Sequence, residues 1–154
     1  MKKFSDYLVE NWFKIKKEFP VISTPLFHAT NSIIMIKRSG KIIDASSGGE
    51  SKWGSQQKGI STSRNLDFLL DGRFGNSILV FDKKEIQRRY KIEPFQFGSA
   101  SDEFEERIVA TSIPDSYIKV VIMTSKNPNK LYIKEWSMWP YPVVVNIDGV
   151  WQKV

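Results

Sequence analysis

Apolar residues recur at helical spacing at the start of the chain. Phe4, Leu8, Trp12, Ile15 and Phe19 follow at intervals of four, four, three and four, which predicts an amphipathic helix over residues 3–18. Glu10, Lys14, Lys16 and Lys17 fall on its other face, read as a solvated one. Phe19-Pro20 ends it, since a residue ahead of proline is pushed out of the helical region. Residues 21–30 read as extended, interrupted by Pro25. Thr30-Asn31-Ser32 then supplies capping oxygens, Ile33, Ile34 and Ile36 an apolar face, and Gly40 a C-terminal stop, so a short helix is expected before a strand at 41–44.

The second half changes period. Residues 76–82 (Asn-Ser-Ile-Leu-Val-Phe-Asp) are apolar on both faces and predict a central strand. A short helix over 65–70 and a turn at 71–75 precede it. A basic helix or turn at 83–89 and an extended run at 90–97 follow, then a mobile stretch at 98–101. Further strands are expected at 103–112, 116–124, 131–136 and 143–147, with a turn at Asn127-Pro128-Asn129. Asp148-Gly149 signals a closing hairpin. The pattern is that of an α+β domain, one unit over residues 1–154.

One stretch breaks the apolar logic. In Lys58-Gly59-Ile60-Ser61-Thr62-Ser63-Arg64, Ile60 and Thr62 point one way and Gly59, Ser61 and Ser63 the other. One face can pack on a core while the other shows small hydroxyls and backbone, which suits a ligand lying against a sheet. Its flanks carry the chain's lone histidine, in Leu26-Phe27-His28-Ala29-Thr30, and an acidic cluster at 102–106. The loop at 45–57 holds Trp53, which either plugs an apolar edge or stacks on a ligand.

Composition narrows the chemistry. With no cysteine and one histidine, disulfides, thiolate chemistry and Cys- or His-rich metal centres are excluded, so no metal is expected. A net charge of +6 favours an anionic partner or simple solubility. The N-terminus lacks the apolar run of a signal peptide, and no segment nears the ~20 apolar residues of a membrane span, so an intracellular, cytoplasmic protein without membrane contact is expected.

Histidine in a first strand, Gly-Ile-Ser-Thr-Ser-Arg opening a later one, and Glu-Glu-Arg-Ile-Val heading another together resemble the ADP-ribosyltransferase family over residues 25–124. The resemblance implies a split β-sheet core with an N-terminal helix, clamping nicotinamide adenine dinucleotide (NAD) as substrate. It implies transfer of ADP-ribose to a protein or nucleic-acid acceptor, in the manner of small toxins and phage-encoded modifiers of a host. By that resemblance His28 hydrogen-bonds a ribose, with Thr30 on its strand face. Gly59, Ser61, Thr62 and Ser63 floor the nicotinamide pocket. Arg64 meets the phosphates, and Phe68 or Phe74 stacks on the ring. Glu106 best fits the catalytic carboxylate, and a Glu103-x-Glu105 register would instead choose Glu105. Neighbours on a strand face opposite sides, so only one of the two can enter the cleft.

The implied reaction passes through an oxocarbenium-like sugar, whose charge a fixed carboxylate stabilises. The chain departs from the family's pattern: no tyrosine stands where the His-Tyr-Glu subgroup has one, and His28 replaces the arginine of the Arg-Ser-Glu subgroup. Acceptor preference is therefore not carried over. The alternative is a non-catalytic basic module gripping nucleic acid through Trp53, Trp136, Trp139 and Tyr141. For that aromatic run, packing of the rings onto the body is the competing reading.

Overall fold

The computed structural model describes residues 10–43, 59–94 and 105–154. The first part of the expected N-terminal helix, the loop with Trp53, residues 98–101 and Glu103 lie outside them. Helix α1 (Glu10–Ile15) continues as a 3-10 turn (Lys16–Glu18), and its Trp12 and Ile15 are buried as their spacing requires. Strand β1 (Pro25–Thr30) leads into α2 (Ile33–Ser39), which Gly40 ends in a left-handed conformation, φ 71°. Next come β2 (Lys41–Ile43), β3 (Ile60–Ser63), α3 (Leu66–Leu69), β4 (Ser77–Asp82), α4 (Lys83–Gln87) and β5 (Lys91–Pro94). The chain finishes with β6 (Glu105–Val109), β7 (Ser112–Pro114), a 3-10 turn (Asp115–Tyr117), β8 (Val120–Lys126), α5 (Lys130–Ser137), β9 (Val143–Ile147) and β10 (Val150–Lys153).

Eight strands form one sheet in the order β10-β9-β8-β4-β1-β3-β6-β5, and β2 pairs with β7 as a separate ribbon. This is an α+β architecture with a mostly antiparallel sheet. It is one run of strands, whereas a pair of small sheets was expected. The run is thinnest at β1 and β3, which share a single bridge pair, Phe27 and Ser63. On the other side of β1, all six residues pair with β4.

The core lies on both faces of the sheet. One cluster gathers Trp12, Ile15, Leu66 and Leu69 over Phe27, Ile78, Val80 and Ile122. The other gathers Ile33, Ile36, Ile86 and Trp136 over Leu26, Leu79, Phe81 and Val121. Ile78 through Phe81 are all fully buried, which is why β4 lacks polar alternation.

Two expectations change. Residues 131–136, read as a strand, belong to helix α5, whose N-terminus is capped by the Asn129 side chain accepting from the Tyr132 N–H at 3.1 Å. The reason is topological: β8 and β9 run parallel, and neighbouring parallel strands need a crossover, here helical. The strand expected over 116–124 begins later, at Val120, because residues 115–117 form a 3-10 turn. The hairpin holds: Asp148 (φ 54°) and Gly149 (φ 82°) are both left-handed, as a type I′ turn demands. Trp136, Trp139 and Tyr141 are buried, so these rings serve the core and offer no stacking platform. No described helix is long and apolar enough to cross a membrane.

Candidate functional site

Strand β3 stands between β1 and β6, and its register with β6 sorts the candidate side chains. Ile60, Ser61, Thr62 and Ser63 oppose Ile108, Arg107, Glu106 and Glu105 in turn. Directly opposed residues share a face, and successive ones alternate. Ser61, Ser63, Glu105 and Arg107 therefore lie on one face, the face of Phe27. Ile60, Thr62, Glu106 and Ile108 lie on the other.

The Ser61 hydroxyl donates to Glu105 Oε1. The same oxygen meets an Arg107 guanidinium nitrogen at 3.3 Å, and a second nitrogen of that group donates to the Gly59 carbonyl at 3.4 Å. The Glu105 and Arg107 side chains are only 10% and 17% exposed, so solvent and salt screen this pair less than a surface pair. Among the described residues, Glu105 Oε2 accepts no hydrogen bond.

His28 comes from β1 on the opposite face, that of Leu26 and Ile60, and meets β3 only at its backbone. Its Nδ1 lies 2.6 Å from the Ser61 carbonyl oxygen, near the place where the β1–β3 ladder stops. A carbonyl only accepts, so Nδ1 carries the proton and Nε2 of the neutral ring is an acceptor. Burial pushes the His28 pKa below its ordinary value, opposed in part by the bond to Ser61. The half-buried imidazole is thus held neutral, with one nitrogen fixed and the other available.

Glu106, the carboxylate favoured from the sequence, takes no part in this cluster. Its Oε2 lies 2.6 Å from Lys83 Nζ at the start of α4, on the opposite face. The carboxylate that meets the serine is Glu105. Thr62 is buried, and its hydroxyl donates to the Glu106 backbone oxygen at 2.8 Å, tying β3 to β6. Gly59 has a structural reason: at φ 136°, a Cβ there would stand 2.5 Å from the Ile108 carbonyl oxygen.

The remaining candidates have other partners. The Thr30 hydroxyl accepts from the Ser32 N–H at 2.9 Å and shapes the entry to α2. The Ser63 hydroxyl accepts from the Asn65 N–H at 3.0 Å, turning the chain into α3. Arg64 is exposed. Phe68 and Phe74 stack on each other, centroids 5.3 Å apart, with the Arg73 guanidinium 5.1 and 5.6 Å from them.

Sequence reasoning missed Arg107 and Lys83. Arg107 could have been found from its period-two spacing after Glu105, but Lys83 approaches only through the tertiary fold. Among the described residues no group of three His, Asp or Glu side chains could hold a metal ion. Comparison with protein-family models, with curated proteins and with solved structures finds no match.

Proposed function

We propose that the chain cleaves NAD at the bond between nicotinamide and ribose and transfers ADP-ribose to a macromolecular acceptor, protein or nucleic acid. The observation that carries this reading is the Ser61–Glu105–Arg107 cluster on one face of the sheet, with His28 bonded to the Ser61 backbone from the other, which brings three pieces of the sequence resemblance to adjoining strands. Within it, Glu105 is the acting carboxylate.

Glu105 Oε1 is fixed by Ser61 and Arg107, which leaves Oε2 to face the sugar. As the bond to nicotinamide breaks, its electron pair leaves with the neutral base and positive charge spreads over the ribose. A pre-positioned carboxylate stabilises that charge without reorganising. His28 holds the Ser61 carbonyl from the opposite face of the sheet and so positions the strand that carries the serine. A nucleophilic oxygen or nitrogen of the acceptor then bonds to the sugar carbon, and its proton passes to Glu105 Oε2 and from there to solvent. The Phe68–Phe74 pair offers a flat apolar surface for the nicotinamide ring, and Arg64 a charge for the phosphates. Glu106, neutralised by Lys83, supports the fold.

The test is release of nicotinamide from NAD, followed by chromatography, with a mass-spectrometric search for a 1:1 ADP-ribose adduct in lysate. Wild-type protein should release nicotinamide and Glu105→Gln should not. Absence of release by the folded wild type in the presence of lysate would refute the reading.

A further inference from the structure

A cavity of about 290 Å³ lies on the α1 side of the sheet, over the half built from β8, β9 and β10. Its side chains come from the edge of the core cluster on that face. Thr124 and Lys126 follow Val120 and Ile122 on β8, across an irregularity in its ladder with β9, and Asn146 follows Val144, where the apolar pattern gives out. In register, Lys126 stands beside Asn146 and Asn146 opposite Trp151. An ammonium, a carboxamide and an indole therefore stand abreast on three neighbouring strands.

Hydrogen bonds hold the walls of this row. The Trp151 Nε1–H donates to Asn11 Oδ1 at 3.2 Å, and Asn11 Nδ2 donates to Asp67 Oδ1 at 2.5 Å, which locks the indole to α1. Asn146 Oδ1 accepts from the Gly149 N–H at 2.9 Å, so the carboxamide orientation is set and its NH₂ donors are unspent among the described residues. Asp71, also in the lining, pairs with Arg73 at 2.5 Å, both side chains largely in solvent. Lys126 forms no ion pair among the described residues and is the one cation of the lining.

We propose that this cavity binds a nucleoside monophosphate, its phosphate on Lys126 and Asn146 and its base against Trp151. The spacing favours such a ligand over a bare anion. Lys126 and Trp151 are two strands apart, roughly 10 Å between backbones, so charge and ring must be joined by a spacer the length of a sugar. The volume suits one small ligand. Binding uses none of the β3 cluster, so it stands whether or not that cluster cleaves NAD.

The probe is adenosine 5′-monophosphate, with adenosine and inorganic phosphate as separate arms. The readout is the indole N–H resonance of Trp151 in ¹⁵N-correlated NMR spectra, identified with a Trp151→Phe variant. A saturable shift of that resonance is expected with the monophosphate, weakened about tenfold in apparent affinity by Lys126→Met, an exposed position whose change leaves the fold intact. Asn146→Asp, which sets a carboxylate against the phosphate, should weaken it by at least as much. No shift of the Trp151 resonance, or a shift that both variants leave unchanged, would overturn the proposal. An equal response to inorganic phosphate alone would overturn it too, because the indole would then have no part.

Discussion

Replacing Gly59 with alanine should destabilise the protein by about 3 kcal/mol, against about 1 kcal/mol for Gly149→Ala. Both glycines have positive φ, 136° and 82°, so each exchange carries the conformational penalty of an L side chain, about 1 kcal/mol. They differ in surroundings. Nothing lies within 4 Å of a Cβ at Gly149, whereas one at Gly59 meets the Ile108 carbonyl oxygen at 2.5 Å and its carbon at 3.3 Å. Both obstacles are backbone and cannot rotate aside.

Restoring an ordinary contact requires β3 to retreat from β6 by about 1 Å. That stretches the ladder in which Ile60 opposes Ile108 and Ser61 opposes Arg107. Loss of two such hydrogen bonds, at about 1 kcal/mol each, accounts for the difference between the variants. Urea denaturation followed by far-ultraviolet circular dichroism gives both values, provided the m-values agree with wild type. Equal losses at the two positions would refute the close-approach argument and leave Gly59 open to a direct role in binding. The same retreat pulls Ser61 from Glu105, so nicotinamide release should also fall in Gly59→Ala and not in Gly149→Ala.

The two carboxylates should separate cleanly. Glu105→Gln is expected to lower nicotinamide release by roughly 100-fold or more, while Glu106→Gln keeps most activity and loses about 1 kcal/mol of stability by stranding the half-buried Lys83; the reverse ranking in the same assay would return catalysis to Glu106. His28 makes a pH prediction. Its folded pKa lies below the ordinary 6.5, so as pH falls the unfolded chain takes up the proton first. The stability it contributes is whole above pH 6.5, declines as pH drops below that value, and is gone once the lower folded pKa is passed. His28→Gln should therefore flatten the melting-temperature profile as pH falls below 6.5, and an unaltered profile would count against a buried neutral imidazole. Tyr141 donates to Asp115 at 2.5 Å, and burial with that carboxylate raises its pKa. Tyr141→Phe should cost about 1–2 kcal/mol in denaturant titrations by leaving Asp115 without this donor, and a neutral result would place the bond's net worth near zero.

Elements whose cause is local were legible in the sequence. Gly40 ends α2 because only a residue at ease with positive φ closes that turn, and Asp148-Gly149 supplies the two left-handed positions its hairpin needs. Ile78 to Phe81 declared a central strand because both their faces had to be apolar. Residues 131–136 misled because a short apolar segment reads equally as strand or helix. The parallel pairing of β8 with β9 decides between them, and it is a relation between distant parts of the chain.

The candidate site divides along the same line. By itself the sequence singled out one histidine, a run of small hydroxyls and an acidic strand head as candidates for chemistry. Only the tertiary structure decided which carboxylate meets the serine. Glu105 and Glu106 are neighbours of the same kind, and a slip of one residue between β3 and β6 would exchange their faces. Pairing register is fixed by how whole strands bury their apolar sides, here Ile60 against Ile108. For the same reason Lys126, Asn146 and Trp151 were three unrelated residues along the chain and became a row only when β8, β9 and β10 lay side by side.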